Sequence, residues 1–322
     1  MQVGFFKNKR VLITGANGFI GSHAVMRMVA EGADVSVLVR EASDMWRLEK
    51  LNNCFDIYKA DMRDADKVSE YVGNIKPDYV FHLAAYGVDS RQKEYVSAAS
   101  TNIIGTINLL NALIDRGCEK FIHAGTSMQY GNKESAVKEE QNYTPSNIYG
   151  STKAAATIIA HQIAQENGID IATIIPFGVF GENEGSHKFF PHIILSILAD
   201  KDIELSPCEQ YRDYCYIENI IDGFLLAAQD KNVKNEIFNI GSGKLHKLRY
   251  YIELILNKMK TDRKAIYGSK GYRKNDLWSP EPDIGKISSI LGWKPSISLD
   301  EGIDRTIGWY RENYEKYLIK GR

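Results

Sequence analysis

The sequence predicts an α/β protein with a doubly wound parallel sheet. Three observations carry this prediction. An apolar strand near the start passes through three spaced glycines into a helical pattern, short apolar runs then alternate with helical stretches, and small or hydroxyl residues follow the later runs. Strands that alternate with helices are typical of parallel sheets, whose ligands bind beyond the carboxyl ends of the strands.

The predicted elements follow one another along the 322-residue chain. Strands are predicted at 9–14, 34–40, 55–61, 78–85, 120–124 and 171–175, and a late strand near 236–241 returns toward the first domain. Helical patterns occupy 19–31, 94–116, 149–166 and a run that ends at 198, and three more lie at 247–260, 283–291 and 299–317. Apolar residues recur at helical spacing in these stretches.

The three glycines after the first strand predict a cradle for a dinucleotide. Gly15 allows a tight turn, Gly18 lets a pyrophosphate approach the backbone, and Gly21 lets the helix pack closely on its strand. The N-terminus of the following helix favours an anion. The cofactor contacts expected in this loop are therefore Gly15, Asn17, Gly18, Phe19, Ile20 and Gly21.

The ends of the next two strands indicate which dinucleotide binds. An acidic residue about 20 positions beyond the glycines holds a ribose 2′-hydroxyl, whereas an arginine accommodates a 2′-phosphate. This chain has Arg40, with Ser43 and Arg47 near the same corner. NADP is therefore favoured over NAD, the alternative for Arg40 being a solvated strand end. Asp61 is placed to accept the adenine amino group.

Hydroxyl side chains follow the fifth strand, where the chemistry is expected. Thr126 and Ser127 come first, and Tyr149 and Lys153 lie four residues apart on one face of the next helix. A free phenol, with a pKa of about 10, is a weak base near neutrality, but an adjacent ammonium and an oxidised nicotinamide favour the phenolate. We expect Tyr149 to exchange a proton with a carbinol, Lys153 to hold the ribose as well, and Thr126 or Ser127 to bond the same oxygen. A surface pair on an amphipathic helix is the alternative.

Together these motifs resemble those of extended short-chain dehydrogenases/reductases of the nucleotide-sugar epimerase, dehydratase and reductase group. The resemblance covers nearly the whole chain and also includes His82-Leu83-Ala84-Ala85 and Asn102 in Thr-Asn-Ile-Ile-Gly-Thr. It implies a Rossmann domain over residues 1–175 that binds NAD(P). A smaller, mixed C-terminal domain over residues 176–322 is then expected to bind most of the substrate.

The resemblance also implies further site residues. Cofactor contacts are expected at Met62, Leu83, Ala84, Ala85, Asn102 and Pro176, and substrate contacts at Tyr86, Thr126, Phe189, Arg212 and Arg273. The two arginines stand in motifs that grip the diphosphate of a sugar nucleotide, and a guanidinium fork suits phosphate oxygens. Surface salt bridges are the alternative for them. Gly178 replaces an asparagine that is frequent in the group, so no side-chain contact is expected there.

Two reactions stay open, a 4-ketoreductase and a C4 epimerase. Dehydratases of the group carry an Asp-Glu pair where this chain has Ser127 and Met128, so no 4,6-dehydratase activity is expected. A reductase of a 4-keto sugar nucleotide that consumes NADPH is favoured, because of Arg40 and because Gln129 resembles a residue often found there in reductases. An epimerase with tightly bound NAD is the alternative. A nucleotide-sensing regulator is less favoured, because Tyr149 and its partners are intact.

Composition limits the other partners. With 40 Lys and Arg against 41 Asp and Glu the formal net charge is −1, which gives no general attraction to nucleic acid or to an anionic membrane. No apolar run is long enough to span a bilayer, the four cysteines match no metal-binding spacing, and cytoplasm is expected. No metal is expected. The resemblance implies a homodimer through the helices at 94–116 and 147–166.

Overall fold

The computed structural model describes residues 4–51, 53–89, 91–272, 278 and 281–318. Twelve strands are assigned within these ranges: β1 (Arg10–Thr14), β2 (Asp34–Val39), β3 (Asp56–Lys59), β4 (Tyr79–His82), β5 (Lys120–Ala124), β6 (Ile171–Pro176), β7 (Gly178–Phe180), β8 (Ile203–Leu205), β9 (Tyr211–Tyr216), β10 (Glu236–Ile240), β11 (Leu245–Lys247) and β12 (Ala265–Tyr267).

The same ranges contain eleven α-helices: α1 (Phe19–Ala30), α2 (Ala65–Ile75), α3 (Tyr95–Ala99), α4 (Gly105–Ile114), α5 (Ile148–Asn167), α6 (Phe189–Leu198), α7 (Ile217–Gln229), α8 (Leu248–Met259), α9 (Gly285–Leu291), α10 (Leu299–Glu312) and α11 (Tyr314–Leu318). Short 3₁₀ turns lie at Trp46–Leu51 and Ser127–Gln129, and a π-helical segment, Ser100–Ile104, joins α3 to α4. None of the helices in these ranges has the length and apolar character needed to cross a membrane.

Seven strands form the central sheet, in the spatial order β3-β2-β1-β4-β5-β6-β10. Every neighbouring pair is parallel. The chain moves outward from β1 through β2 to β3 and then crosses to β4, so the order reverses between β1 and β4. Ligands of such sheets bind at this reversal, outside the carboxyl ends of the strands. The predicted doubly wound α/β fold is confirmed.

Helices cover both faces of this sheet, and for this reason its strands are apolar on both faces. Val11 and Ile13 of β1 belong to a core that includes α1 and α7, whereas Leu12 between them belongs to a second core with α2, α4 and α5. A parallel sheet buried on both faces needs this composition. Because the two cores cover the faces of the sheet, polar side chains that bind a ligand are expected at its carboxyl edge.

The chain leaves the large sheet after β6 and returns to it at β10, where the sequence predicts the late strand, and β10 pairs with β6. Between and after these strands lie a three-stranded sheet, ordered β11-β9-β7, and the parallel pair β8 and β12. Helices α6, α8 and α10 pack near them. The boundary between two domains at residue 175 stays a prediction.

Two helical features depart from the sequence prediction. The helix expected at 94–116 is interrupted by the π-helical segment, and π-helical turns occur frequently at functional sites. Helix α2 was not predicted, although its signals are present: Asp64 caps it by accepting from Lys67 N at 3.1 Å, and Val68 and Val72 are buried at helical spacing. The short strands β7, β8, β9, β11 and β12 and helix α7 were also missed.

Candidate active site

The glycine loop lies at the point where the order of strands reverses. Gly15 has a φ of +69°, and a Cβ there would come 2.6 Å from Ala84 N and from the carbonyl carbon of Leu83. A Cβ on Gly21 would come 2.1 Å from the oxygen of Gly15. The loop, the end of β4 and the first turn of α1 thus touch backbone to backbone, which only glycine permits here.

The N-terminus of α1 offers its backbone N–H groups to a ligand. Gly18 is the N-cap residue and provides no side-chain hydrogen bond to the helix. The first N–H groups of a helix have no partner within the helix and attract anions. The close glycine packing and the uncapped helix start fit the pyrophosphate of a dinucleotide. Its contacts with the backbone of Phe19 and Ile20 stay predictions.

The expected cofactor residues meet along one edge, because the carboxyl ends of parallel strands lie side by side. Gly15 follows β1, Arg40 follows β2, and Asp61 follows β3. Further along the same edge, Leu83, Ala84 and Ala85 follow β4, Thr126 follows β5, and Pro176 ends β6. Their contacts with a cofactor stay predictions.

The Tyr149 and Lys153 side chains stand on one face of α5. Asn147 caps this helix by accepting from Gly150 N at 2.8 Å. Burial raises the pKa of Tyr149 to about 12, and a hydrogen bond with the Thr126 side chain opposes this rise. Burial lowers the pKa of Lys153 to about 7. Near neutral pH the phenol of Tyr149 is therefore protonated in this structure, and Lys153 is close to the midpoint of its titration.

Gln129 organises the loop that presents Thr126. Its side-chain oxygen accepts from Thr126 N at 2.7 Å, and its amide nitrogen donates to Thr157 Oγ1 at 3.1 Å. The side chain is fully buried. Gln129 therefore anchors the end of β5 to α5. Ser127, in the same turn, is half-buried.

Asn102 lies in the π-helical segment and positions the loop after β4. Its side-chain oxygen accepts from Tyr86 N at 2.7 Å, and its amide nitrogen donates to Tyr86 O and to Thr152 Oγ1, both at 2.9 Å. This loop passes over Tyr149, because a Cβ on Gly87 would come 3.2 Å from Tyr149 Cβ. Asn102 thus holds Tyr86, an expected substrate contact, in place through its backbone.

The adenosine corner differs from the expectation in one residue. Arg40 is exposed at the end of β2, as a 2′-phosphate ligand requires. Arg47, however, donates to the carbonyl oxygens of Asn17 at 2.9 Å and Asn183 at 2.7 Å, and its guanidinium stacks on Trp46. The grouping of Arg47 with Arg40 at one corner is therefore not supported, because the guanidinium is committed to the backbone beside the glycine loop.

The end of β3 has its own ion pair. Arg63 donates to both oxygens of Asp61, at 2.9 and 2.7 Å, and these bonds hold the pKa of that carboxyl below its ordinary value. Asp61 therefore stays charged as a hydrogen-bond acceptor. Met62, the next residue, is buried, and its carbonyl oxygen accepts from Asn108 Nδ2 at 2.9 Å.

Arg212 and Phe189 lie on the elements that follow the large sheet. Asp213 is buried beside Arg212 on β9 and accepts from Ser242 N at 2.7 Å and Lys244 N at 2.9 Å. The Arg212 carbonyl oxygen accepts from the Tyr251 hydroxyl at 2.8 Å. The strand is thus held firmly at the arginine.

Of the two other expected substrate contacts, Phe189 is described by the structure and Arg273 is not. Phe189 is stacked on Tyr214 with ring centroids 5.8 Å apart. Arg273 lies outside the described residues. Within the described ranges no group of three or more His, Cys, Asp or Glu could hold a metal ion.

Comparisons with known proteins identify the family. Residues 11–241 match the model of the NAD dependent epimerase/dehydratase family. The UDP-glucuronate 4-epimerase of Thermodesulfobacterium geofontis is 30% identical over 96% of this chain and 98% of its own length. The dTDP-4-dehydro-6-deoxyglucose reductase of Escherichia coli is 29% identical over 92% of this chain and 96% of its own.

A solved structure agrees with the fold. The UDP-glucuronic acid 4-epimerase from Bacillus cereus, in complex with UDP-glucuronic acid and NAD, superposes with a TM-score of 0.86 at 27% identity, over 94% of this chain and 99% of that one. These matches confirm the resemblance inferred from the glycine loop and the Tyr149 motif. The chain belongs to the NAD dependent epimerase/dehydratase family of extended short-chain dehydrogenases/reductases.

Proposed function

We propose that this protein is a nucleotide-sugar 4-epimerase that keeps NAD bound through oxidation and re-reduction at C4. The observation that carries the proposal is the grouping of Tyr149, Lys153 and Thr126 at the sheet edge where the Gly15 loop lies, with Lys153 and Thr126 buried and Tyr149 half-buried. The 4-epimerases among the relatives and solved structures support the substrate class and the reaction.

The residues of this chain supply the proton chemistry and the binding. A bound NAD would supply the acceptor for the C4 hydride and its donor for return to the opposite face of C4. Tyr149 accepts the proton of the C4 hydroxyl and later gives it back, while Thr126 hydrogen-bonds the same oxygen. Because burial raises the pKa of Tyr149 to about 12, the phenolate needs nearby positive charge, which the Lys153 ammonium supplies. We also propose that Arg212 binds the diphosphate.

A 4-ketoreductase that uses NADPH is the second candidate. One observation favours it: Arg40 is exposed at the end of β2, where it can meet a 2′-phosphate. Arg47 and Gln129 add no support to it, because Arg47 donates to the carbonyl oxygens of Asn17 and Asn183 and Gln129 is buried in internal hydrogen bonds. The balance between the two reactions therefore moves toward the epimerase.

The nucleotide that purifies with the protein tests this choice. We would denature the full chain, extract the bound nucleotide and identify it by mass and absorbance. Stoichiometric NAD⁺ with conversion of UDP-glucuronate to its C4 epimer is the expected result. An empty site, or NADP(H) that exchanges freely, contradicts the epimerase and directs the assay to 4-keto nucleotide sugars. Tight binding of nucleotide sugars without turnover favours a regulator.

We propose no 4,6-dehydratase activity for this site. The positions that follow Thr126 are Ser127 and Met128, and neither side chain is an acid or base for eliminating water. The Met128 sulfur instead contacts Asn147 Nδ2 at 3.7 Å, near the start of α5. Formation of a 4-keto-6-deoxy product from an NDP-hexose by the purified protein contradicts this proposal.

We also propose a homodimer built on α3 and α5. Their surfaces carry exposed apolar side chains: Tyr95 is 71% exposed, Val96 79% and Ile158 60%. Such a patch on paired helices suits a second copy of the chain. Sedimentation of the wild type as a dimer and of Val96→Glu as a monomer is expected, and a monomeric wild type contradicts it. The cytoplasm stays the proposed location, in keeping with four cysteines that form no disulfide with one another.

A further inference from the structure

A row of polar side chains crosses the central sheet near its carboxyl edge. Thr14, His82, His123 and Thr173 are register partners on β1, β4, β5 and β6, so they stand side by side on one face of the sheet. All four are completely buried. Buried polar groups are normally hydrogen-bonded, and the partners of each member therefore show what the row does.

His82 has both ring nitrogens occupied by threonines. The Thr106 hydroxyl donates to Asn102 O at 2.7 Å, so its oxygen accepts from His82 Nε2 at 2.9 Å. His82 Nδ1 then accepts from Thr14 Oγ1 at 2.7 Å, and that oxygen accepts from Ala84 N at 3.2 Å. One neutral tautomer satisfies every contact, and burial holds the pKa of His82 at about 3. His82 is thus structural and has no nitrogen left for Lys153.

His123 is different, because its partner is Lys153. His123 Nε2 lies 3.4 Å from Lys153 Nζ, and within the described residues neither atom has another hydrogen-bond partner. When Lys153 is charged, its ammonium only donates, so Nε2 accepts and the ring hydrogen is on Nδ1. That Nδ1 is buried and has no partner in the described part of the chain. An unsatisfied buried nitrogen contributes nothing to stability, so the contact to Lys153 is the interaction by which the ring acts.

The remaining titratable neighbour is bonded elsewhere. His161, on α5, bonds Thr173 Oγ1 at 2.8 Å and Asn235 Oδ1 at 2.7 Å. It therefore influences His123 only through space. Burial, followed by the charge of Lys153 and then by His82 and His161, holds the pKa of His123 well below its ordinary value. The ring of His123 is thus a neutral acceptor.

We propose that His123 is a positioning residue that accepts a hydrogen bond from Lys153 and holds the ammonium in place for Tyr149. One N–H bond of Lys153 is directed into the sheet by this contact, and two are left for the ribose of a bound dinucleotide. The bond also stabilises the charged form of a lysine that burial otherwise neutralises. This inference rests on the proposed Tyr149 and Lys153 chemistry, and it adds a residue from the strand beneath them.

The test is the titration of Lys153 in the cofactor-free full-length protein. The ε-carbon NMR resonance of Lys153, assigned by its absence from Lys153→Arg, is followed with pH in the wild type and in three variants. His123→Phe removes the acceptor and keeps a ring, whereas His123→Gln keeps an acceptor. His161→Gln is the matched control, because it changes another histidine that faces the same row and does not touch Lys153.

We expect His123→Phe to lower the titration midpoint of Lys153 by about one pH unit. One pH unit is a tenfold loss of proton affinity. This loss is at the low end of what a hydrogen bond to a charged group contributes, because the 3.4 Å distance between His123 Nε2 and Lys153 Nζ is long for such a bond. His123→Gln should restore the midpoint, and His161→Gln should leave it unchanged. The stability of His123→Phe should stay close to that of the wild type, because the substitution also removes the unsatisfied Nδ1.

An unchanged midpoint in His123→Phe overturns the proposal, and so does an equal shift in His161→Gln. If His123→Phe does not fold, His123→Leu provides a second variant without an acceptor. Since the titration needs neither cofactor nor substrate, its result is independent of the reaction. A protein that is inactive on every nucleotide sugar but shows the expected shift contradicts the proposed function and leaves the His123 contact in place.

Discussion

Replacing Gly15 by alanine should cost much more stability than the same change at Gly168. The two glycines have nearly the same φ, +69° and +68°, so alanine pays the same left-handed backbone cost of about 1–2 kcal/mol at both. Their surroundings differ. A Cβ at Gly15 meets the backbone of Leu83 and Ala84 at 2.6 Å, whereas one at Gly168 has nothing within 4 Å.

The overlap at Gly15 adds a further cost, because the contacting atoms are backbone atoms of β4 and the loop after it. Forcing extra volume into a packed region costs about 1–3 kcal/mol, so Gly15→Ala should lose about 2–5 kcal/mol in all. That is a large part of the ~5–15 kcal/mol by which a typical protein is stable. Movement of β4 away from the loop should also disturb the pyrophosphate cradle.

Urea denaturation of the two variants and the wild type measures the difference directly. Binding of NAD, followed by calorimetry, gives the second readout: we expect at least a tenfold weaker affinity for Gly15→Ala and no change for Gly168→Ala, whose site lies at the end of α5. Equal losses of stability in the two variants would refute the packing argument, since only the shared backbone cost would then remain.

The remaining predictions concern the chemistry and the cofactor. Tyr149→Phe should lower turnover by about 10²–10⁴-fold while NAD affinity stays nearly unchanged, and unchanged turnover would remove Tyr149 from the mechanism. Arg47→Met should weaken the affinities for NAD and NADP by the same factor in a binding assay, because the Arg47 guanidinium holds the carbonyl oxygens of Asn17 and Asn183. Arg40→Ala should weaken the affinity for NADP alone. A selective loss of NADP affinity in Arg47→Met would contradict this geometry. Burial lowers the pKa of Lys153 to about 7, whereas a lysine in the unfolded chain has a pKa of about 10.4. Between these two pH values the unfolded chain binds one proton more than the folded protein, so the free energy of unfolding should rise with pH. Lys153→Met should remove at least ~1 kcal/mol of this rise in urea denaturation at pH 7, 8.5 and 10, and an identical pH dependence in both proteins would show that Lys153 keeps its proton.

Some parts of the site could be predicted because their chemistry is local in the sequence. The glycine spacing from Gly15 to Gly21 encodes a turn and a helix start within seven residues, and Tyr149 and Lys153 share a helix face whatever surrounds them. The alternation of apolar runs with helices likewise predicts the sheet, because a strand buried on both faces has to be apolar throughout.

Other residues took their roles from partners far away in the chain. Arg47 looked like a phosphate ligand because it lies close to Arg40 in the sequence. Its guanidinium instead donates to the carbonyl oxygens of Asn17 and of Asn183, and Asn183 is 136 positions further along the chain. Gln129 resembles a residue often found at that position in reductases, but its side chain is bonded to Thr126 N and Thr157 Oγ1 inside the protein. A side chain's neighbours in space are not encoded in its neighbours in sequence.

The sequence by itself determined the doubly wound sheet, the glycine loop before α1 and the placing of Tyr149 and Lys153 on one helix face, since each depends on the spacing of residues within one or two turns or strands. Only the tertiary structure decided that Asn102 serves the loop over Tyr149, that Arg47 serves the backbone and that His123 lies beneath Lys153. These roles depend on strand register and on helices packed across the sheet, which bring together residues that are 16 to 136 positions apart.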